Sequence, residues 1–242
     1  MKLRIALLIA LCLTVLAFSK GQEKPMFGRQ EKPQFGSKAS VAVSVPSPDK
    51  AKILFLRSLR SEKDADFPTE VELRTGDKKI RTRIRFGLNA EILWSPDSNA
   101  FAISGSSEGA NGLYWTDVFL IRSDRLVVVP VTKMIWRAFG HPVKCGWPEY
   151  PNVGSVAWLQ PSARILVAAE IIHHSNCDSF GTFKAYEIDI PTGKIVTKYN
   201  QLEAKKLFKK ELGDELVQGP DKCILTPKDC YVPANHPELQ PH

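Results

Sequence analysis

The sequence is short of three things: long apolar runs, charge of one sign, and the spacings that metal sites use. Each shortage removes a class of protein. Residues 5–18 form an apolar run without charge, but it falls below the ~20 residues that a helix needs to cross hydrocarbon, so no stable membrane span is expected. Lys2 and Arg4 precede that run, and Ala17-Phe18-Ser19 closes it with small residues, Ala17 and Ser19, at the places a signal peptidase reads. Residues 1–19 therefore read as a cleavable signal peptide, and the expected destination is secreted or periplasmic. Cys12 does not mark a lipidated terminus, because bulky Leu11 stands before it inside the run. The formal charge is +7 and falls to about +5 once Lys2 and Arg4 are removed with the signal. That excess is too mild to signal a nucleic-acid partner.

Cysteine is scarce too, with five in the chain. Setting Cys12 aside leaves Cys145, Cys177, Cys223 and Cys230, an even number in an oxidising destination, which favours two disulfides over free thiols. Three connectivities are open. Joining Cys145 to Cys177 leaves Cys223 with Cys230, closing a small loop in the Pro-rich tail.

What is present begins with a repeat. Gln22-Glu23-Lys24-Pro25-Met26-Phe27-Gly28 returns as Gln30-Glu31-Lys32-Pro33-Gln34-Phe35-Gly36, charged and poor in apolar side chains. Residues 20–39 read as a flexible linker that buries too little to offset its ordering entropy; an extended partner-binding peptide is the alternative. Residues 40–242 then form a single β domain with a C-terminal helix and a disulfide-containing tail.

Within that domain, short β-branched runs separated by turn residues group into three units of four strands. In the middle unit the strands are 90–94, 100–104, 116–121 and 126–131, with Ser95-Pro96-Asp97-Ser98 as the first turn. The first unit places strands at 41–45, 53–56, 70–74 and 80–86, and the third at 155–158, 165–172, 183–190 and 195–199. The predicted class is all-β: three four-stranded antiparallel meanders, propeller-like, with a β-sandwich as the alternative.

Trp94-Ser95-Pro96-Asp97 followed by Phe101-Ala102-Ile103, and Asp189 with Thr192-Gly193-Lys194, resemble the blade motifs of TolB-type β-propellers, relatives of WD-repeat propellers. The resemblance spans roughly residues 41–199 and implies a binding scaffold without specifying a ligand. The chain departs from the pattern in three places: Ser98 stands where the family usually has Gly, the third unit lacks the Asp, and the first lacks the aromatic residue. Closed propellers typically have at least four blades. Three units leave open a degenerate fourth blade, a ring shared by two chains, which would be a homo-oligomer, or an open stack.

After the third unit, Asn200 with Glu203 reads as an N-cap and its capping-box partner. Ala204, Leu207, Phe208 and Leu212 recur at helical spacing, and Gly213 is the expected C-cap. This helix is expected to pack on a sheet edge, with Lys205, Lys206, Lys209 and Lys210 on a solvated face; an acidic lipid surface is the alternative partner for those lysines.

In a meander of this kind the loop after the second strand and the crossover to the next unit leave from one end of the sheet. Segments 105–115, 133–152 and 173–182 are thereby grouped, bringing Trp115, Trp136, Phe139, His141, Trp147, Tyr150, His173, His174 and Asp178 to one end. A Cys145–Cys177 bridge would clamp two of these segments. Aromatic side chains on a clamped face suit recognition of a protein or glycan partner, though they equally suit filling the loop interior. The leading functional reading is an exported, non-catalytic binding protein; the alternative is a hydrolase or metal-dependent enzyme centred on His141, His173, His174 and Asp178. No cofactor is implied. Adjacent His173 and His174 would point to opposite faces of a strand, and the usual two-residue ligand spacing is missing. Gly105-Ser106-Ser107-Glu108-Gly109 matches G-x-S-x-G, but a strand follows where a nucleophile elbow needs a helix. Lys79, Arg81, Arg83 and Arg85 alternate along one strand; they read as edge protection, with an anionic polymer as the competing reading.

Overall fold

The computed structural model describes residues 43–58, 68–85, 89–106, 114–123, 125–140, 143–144, 148–171 and 182–217. Three four-stranded antiparallel meanders carry the fold. The first comprises β1 (Val43–Pro46), β2 (Lys52–Ser58), β3 (Pro68–Thr75) and β4 (Lys78–Arg85), and the second β5 (Asn89–Trp94), β6 (Ala100–Ser106), β7 (Tyr114–Ile121) and β8 (Leu126–Val129). Helix α1 (Val131–Phe139) and a two-strand ladder, β9 (Val143–Lys144) with β10 (Pro148–Glu149), lead to the third: β11 (Asn152–Gln160), β12 (Arg164–Glu170), β13 (Phe183–Asp189) and β14 (Lys194–Asn200). Helix α2 (Gln201–Val217) follows.

The two-residue period of the strands decides how the sheets stack. On the middle sheet Ile92, Phe101, Ile103 and Phe119 face the first sheet and meet Leu54, Leu56, Val71 and Leu73. Ala100, Ala102, Val118 and Leu120 point the opposite way, toward Ile165, Val167, Tyr186 and Ile188 of the third. The Phe101 and Phe119 rings stack at 5.1 Å, anchoring the first of these interfaces. The second interface carries a buried hydroxyl chain. Ser104 donates to Thr116 Oγ1 at 2.9 Å, Thr116 and Ser155 hydroxyls meet at 2.8 Å, and the Ser155 N–H donates to Ser104 Oγ at 3.0 Å. These polar atoms are tolerated between two apolar faces because they satisfy one another.

The first turn of each blade explains the missing glycine. Ser47 and Ser95 each donate to an aspartate two residues on, Asp49 and Asp97, at 2.5 Å. The same two hydroxyls accept the backbone N–H of Lys52 and Ala100 at 3.0 Å. Lys50, Ser98 and Ser162 hold φ of 59°, 59° and 46°, the left-handed region that Gly enters without cost and other residues do not. The serine side chains supply something Gly lacks. Ser98 Oγ accepts the Asp49 N–H at 3.1 Å, tying blade one to blade two, and Ser162 Oγ donates to Asp97 Oδ1 at 2.5 Å, tying blade three to blade two.

The ends of the stack differ. α2 opens with the capping box read from the sequence: Glu203 N–H donates to Asn200 Oδ1 at 3.0 Å and Asn200 N–H to Glu203 Oε2 at 2.9 Å. It then lies across the outer face of the third sheet, where Ala204 and Leu212 pack with Val156, Leu166, Ala168 and Ala185. Three expectations are corrected here. The helix covers a sheet face and not an edge, because that face is apolar and needs burying. It runs through Gly213 to Val217. Leu207 is 58% exposed, since the buried stripe follows 204, 208 and 212. The outer face of the first sheet is uncovered by any helix or sheet among the described residues and carries charge instead. The described residues thus form an open stack of three blades.

Candidate functional site

The crossover between the second and third sheets corrects the reading of 133–152 as a loop. Pro130 has no N–H to continue the β8 ladder, and from Val131 the apolar side chains recur at helical spacing: Val131, Ile135 and Phe139 are buried on one face of α1. Asp117 sits at the start of this helix and accepts the backbone N–H groups of Val131 and Thr132, donors that the first helical turn leaves unpaired. Thr132 locks the junction further: its Oγ1 accepts the Thr116 N–H at 2.7 Å and donates to the Thr116 C=O at 2.8 Å. Burial pushes the Asp117 carboxyl up to about 6, against the opposing pull of those two N–H groups and of Lys133. At the far end Gly140 stops α1 at φ 118°, a conformation suited to Gly.

This rigid helix positions Trp136. Its indole N–H donates to the Pro151 C=O at 3.1 Å, and its ring lies 4.5 Å from that of Tyr150, tilted by 31°. Trp136 is half-buried against the core between the second and third sheets, while Tyr150 stays 40% exposed. One aromatic ring is therefore fixed by packing and a hydrogen bond, and it presents a second ring to solvent. Below the pair, Lys184 Nζ donates to the Phe139 C=O at 2.8 Å and stands 4.5 Å over the Phe139 ring, pinning the end of α1 to β13.

Trp115 lies apart from this pair. It packs against the core between the first and second sheets, whereas Trp136 packs on the opposite side of the second sheet. His141, Trp147, His173, His174 and Asp178, together with Cys145, Cys177, Cys223 and Cys230, lie outside the described residues. Among the described residues no group of three His, Cys, Asp or Glu side chains is placed to hold a metal ion, and no helix is long and apolar enough to cross a membrane.

Two acidic residues at this junction were not singled out from the sequence. Glu170 ends β12 beside Asn152 and Phe183, and burial pushes its carboxyl up to about 7. Asp117 is the other. The signal for both was present: each is an acidic residue embedded in an apolar strand run, where an ionised group is costly.

No family model matches the chain, and no curated protein matches it. Solved structures that resemble it include Pyrococcus horikoshii acylaminoacyl peptidase in an orthorhombic crystal form, at 13% identity and a TM-score of 0.40, and acylaminoacyl peptidase in complex with Z-Gly-Gly-Phe-chloromethyl ketone, at 13% identity and a TM-score of 0.39. The matches cover 66% and 65% of this chain, and the chain spans 25% of the length of each.

Proposed function

We propose that the protein is an exported, non-catalytic binding protein that recognises a protein or glycan partner through the aromatic face at the crossover end of its propeller-like blades. The observation that supports this reading is the Trp136–Tyr150 pair, 4.5 Å apart with Tyr150 exposed. A ring held in place before the partner arrives binds at little cost in side-chain entropy. Trp147 and His173, from the neighbouring segments, would widen the platform. Titration of the protein with neutral oligosaccharides and with Pro-containing peptides, followed by tryptophan emission, tests it. Tyr150→Ala should lose a response that the parent chain gives. A ligand bound with undiminished affinity by Tyr150→Ala places recognition elsewhere.

A second reading, a hydrolase or metal-dependent enzyme centred on His141, His173, His174 and Asp178, draws support from Glu170. A carboxyl with a pKa of about 7 suits proton transfer near neutral pH, and Glu170 precedes His173 by three positions. Hydrolysis of ester or peptide probes that vanishes in Glu170→Gln while binding persists would favour it.

A further inference from the structure

The outward face of the first sheet is charged, and its charges are ordered. In the hairpin of β3 and β4, Glu72 stands opposite Arg81, Glu70 opposite Arg83, and Arg74 opposite Lys79. Glu72 is the pivot: its side chain is only 7% exposed, and it accepts from Arg74 Nε at 2.5 Å and from Arg81 Nε at 2.6 Å, one oxygen for each guanidinium. The Arg74 guanidinium also lies 3.9 Å over the Phe55 ring. Both arginines are therefore fixed in direction, yet Arg81 remains 58% exposed. Because each bonds Glu72 through Nε, the Nη groups are the part of the fork left to meet an oxyanion, and a planar fork of that kind takes a carboxylate or sulfate in two parallel bonds.

The distribution of sign along this face narrows the ligand. The acids Glu70 and Glu72 are both on β3. The β4 row on the same face holds Lys79, Arg81 and Arg83, all exposed and all cationic, spaced about 7 Å apart by the strand period. A flat anionic surface laid on this face would meet the carboxylate of Glu70 as well as the cations. A narrow ligand lying along β4 meets the cations alone. Edge protection accounts for cations at a sheet border, but it does not require a buried carboxylate that orients two of the guanidiniums on the face.

We propose that the outer face of the first sheet is a docking site for a linear polysaccharide bearing carboxylate or sulfate groups, which lies along β4 across Lys79, Arg81 and Arg83 with Arg74 as a flanking contact. This site is separate from the aromatic face and does not depend on it.

Dextran sulfate, its unsulfated parent dextran, and vesicles of phosphatidylcholine with phosphatidylglycerol are the probes. Three chains are compared: the parent protein; the double variant Lys79→Gln with Arg83→Gln, which keeps both Glu72 pairs; and Lys206→Gln with Lys210→Gln, which removes the same charge from α2. Unchanged thermal midpoints establish that both variants fold. The proposal expects dextran sulfate, and not dextran, to bind the parent chain, with affinity reduced roughly tenfold or more in the β4 variant and little changed in the α2 variant. Equal losses in the two variants would overturn it, because net charge alone would then account for binding. Vesicle binding that depends on the β4 residues without any binding of dextran sulfate would also overturn it and make a lipid surface the occupant.

Discussion

Ser162 donates its hydroxyl to Asp97 Oδ1 at 2.5 Å across a separation of 65 residues, so the first turn of the third blade is tied to the first turn of the second. Ser95 joins the same group, its hydroxyl 2.9 Å from that of Ser162. Burial raises the Asp97 carboxyl, but the Ser162 and Ser95 hydroxyls and Asn99 outweigh it and hold the group below its ordinary value. Together with the Asp49–Ser98 bond, this makes the turn end of the stack a continuous seam.

The seam predicts an order among substitutions. Ser162→Ala should cost about 0.5–1.5 kcal/mol, the net worth of an ordinary hydrogen bond. At Ser98 two effects separate: Ala keeps the unfavourable backbone at φ 59° and loses the bond to Asp49, while Gly loses the bond and relieves the backbone. Ser98→Ala should therefore be the less stable of the two by about 1 kcal/mol, as read from urea midpoints. The reverse order would show that backbone strain is not what the position costs.

Leu207 and Leu212, two of the four leucines of α2, make a matched pair. Leu212 is buried against the third sheet and Leu207 is 58% exposed. Leu212→Ala should cost about 2–4 kcal/mol, and Leu207→Ala under about 0.5 kcal/mol. Similar losses at both positions would mean that the helix buries a different stripe.

Tyr186 is fully buried between the second and third sheets, and its hydroxyl has no hydrogen-bond partner among the described residues. Burial pushes the phenol up to about 12. Removing a buried polar atom that makes no bond relieves its desolvation, so Tyr186→Phe should leave stability unchanged or raise it by about 1 kcal/mol. A clear loss in thermal or denaturant unfolding would reveal a partner for that hydroxyl.

The Asp117 carboxyl, raised by burial from its ordinary value of 3.8 to about 6, gives a pH signature. The folded chain holds this proton more tightly than the unfolded chain, so the group favours folding at low pH and loses that contribution as pH rises from about 4 through about 6. Asp117→Asn has no such titration. Its stability relative to the parent should climb by on the order of 2 kcal/mol between pH 4 and pH 7. Taking the difference cancels the opposite contribution of Asp49, held at about 2 by the Ser47 hydroxyl, the Ala51 N–H and Lys52. A difference that stays flat with pH would show that folding leaves the Asp117 carboxyl at its ordinary value.

The blades were legible because alternation and turn chemistry agreed. Ser95-Pro96-Asp97 and Thr75-Gly76-Asp77 punctuate runs whose two-residue period places Phe101 and Ile103 on one face and Ala100 and Ala102 on the other. Helix α1 was not legible: Val127, Val128, Val129 and Val131 read as one β-branched run, and Pro130 inside it is what divides strand from helix. Of the candidate site, the sequence grouped Trp136 with Tyr150 through topology. It separated neither of them from Trp115, because which face of the second sheet an aromatic residue occupies depends on how the crossover turns. The clamp of Arg74 and Arg81 on Glu72 also escaped notice, since it rests on the hairpin register that pairs Thr75 with Lys78.

The unlike ends of the stack limit how such a chain can lengthen. A blade appended after the third sheet would have to displace α2 from an apolar face, and one placed before the first would have to bury Glu72 with its two arginines. Between the sheets, by contrast, each apolar face already expects another. Within the described residues, a duplicated blade would thus meet matching apolar faces between the sheets, whereas at either end it would first have to displace a helix or bury a charged cluster.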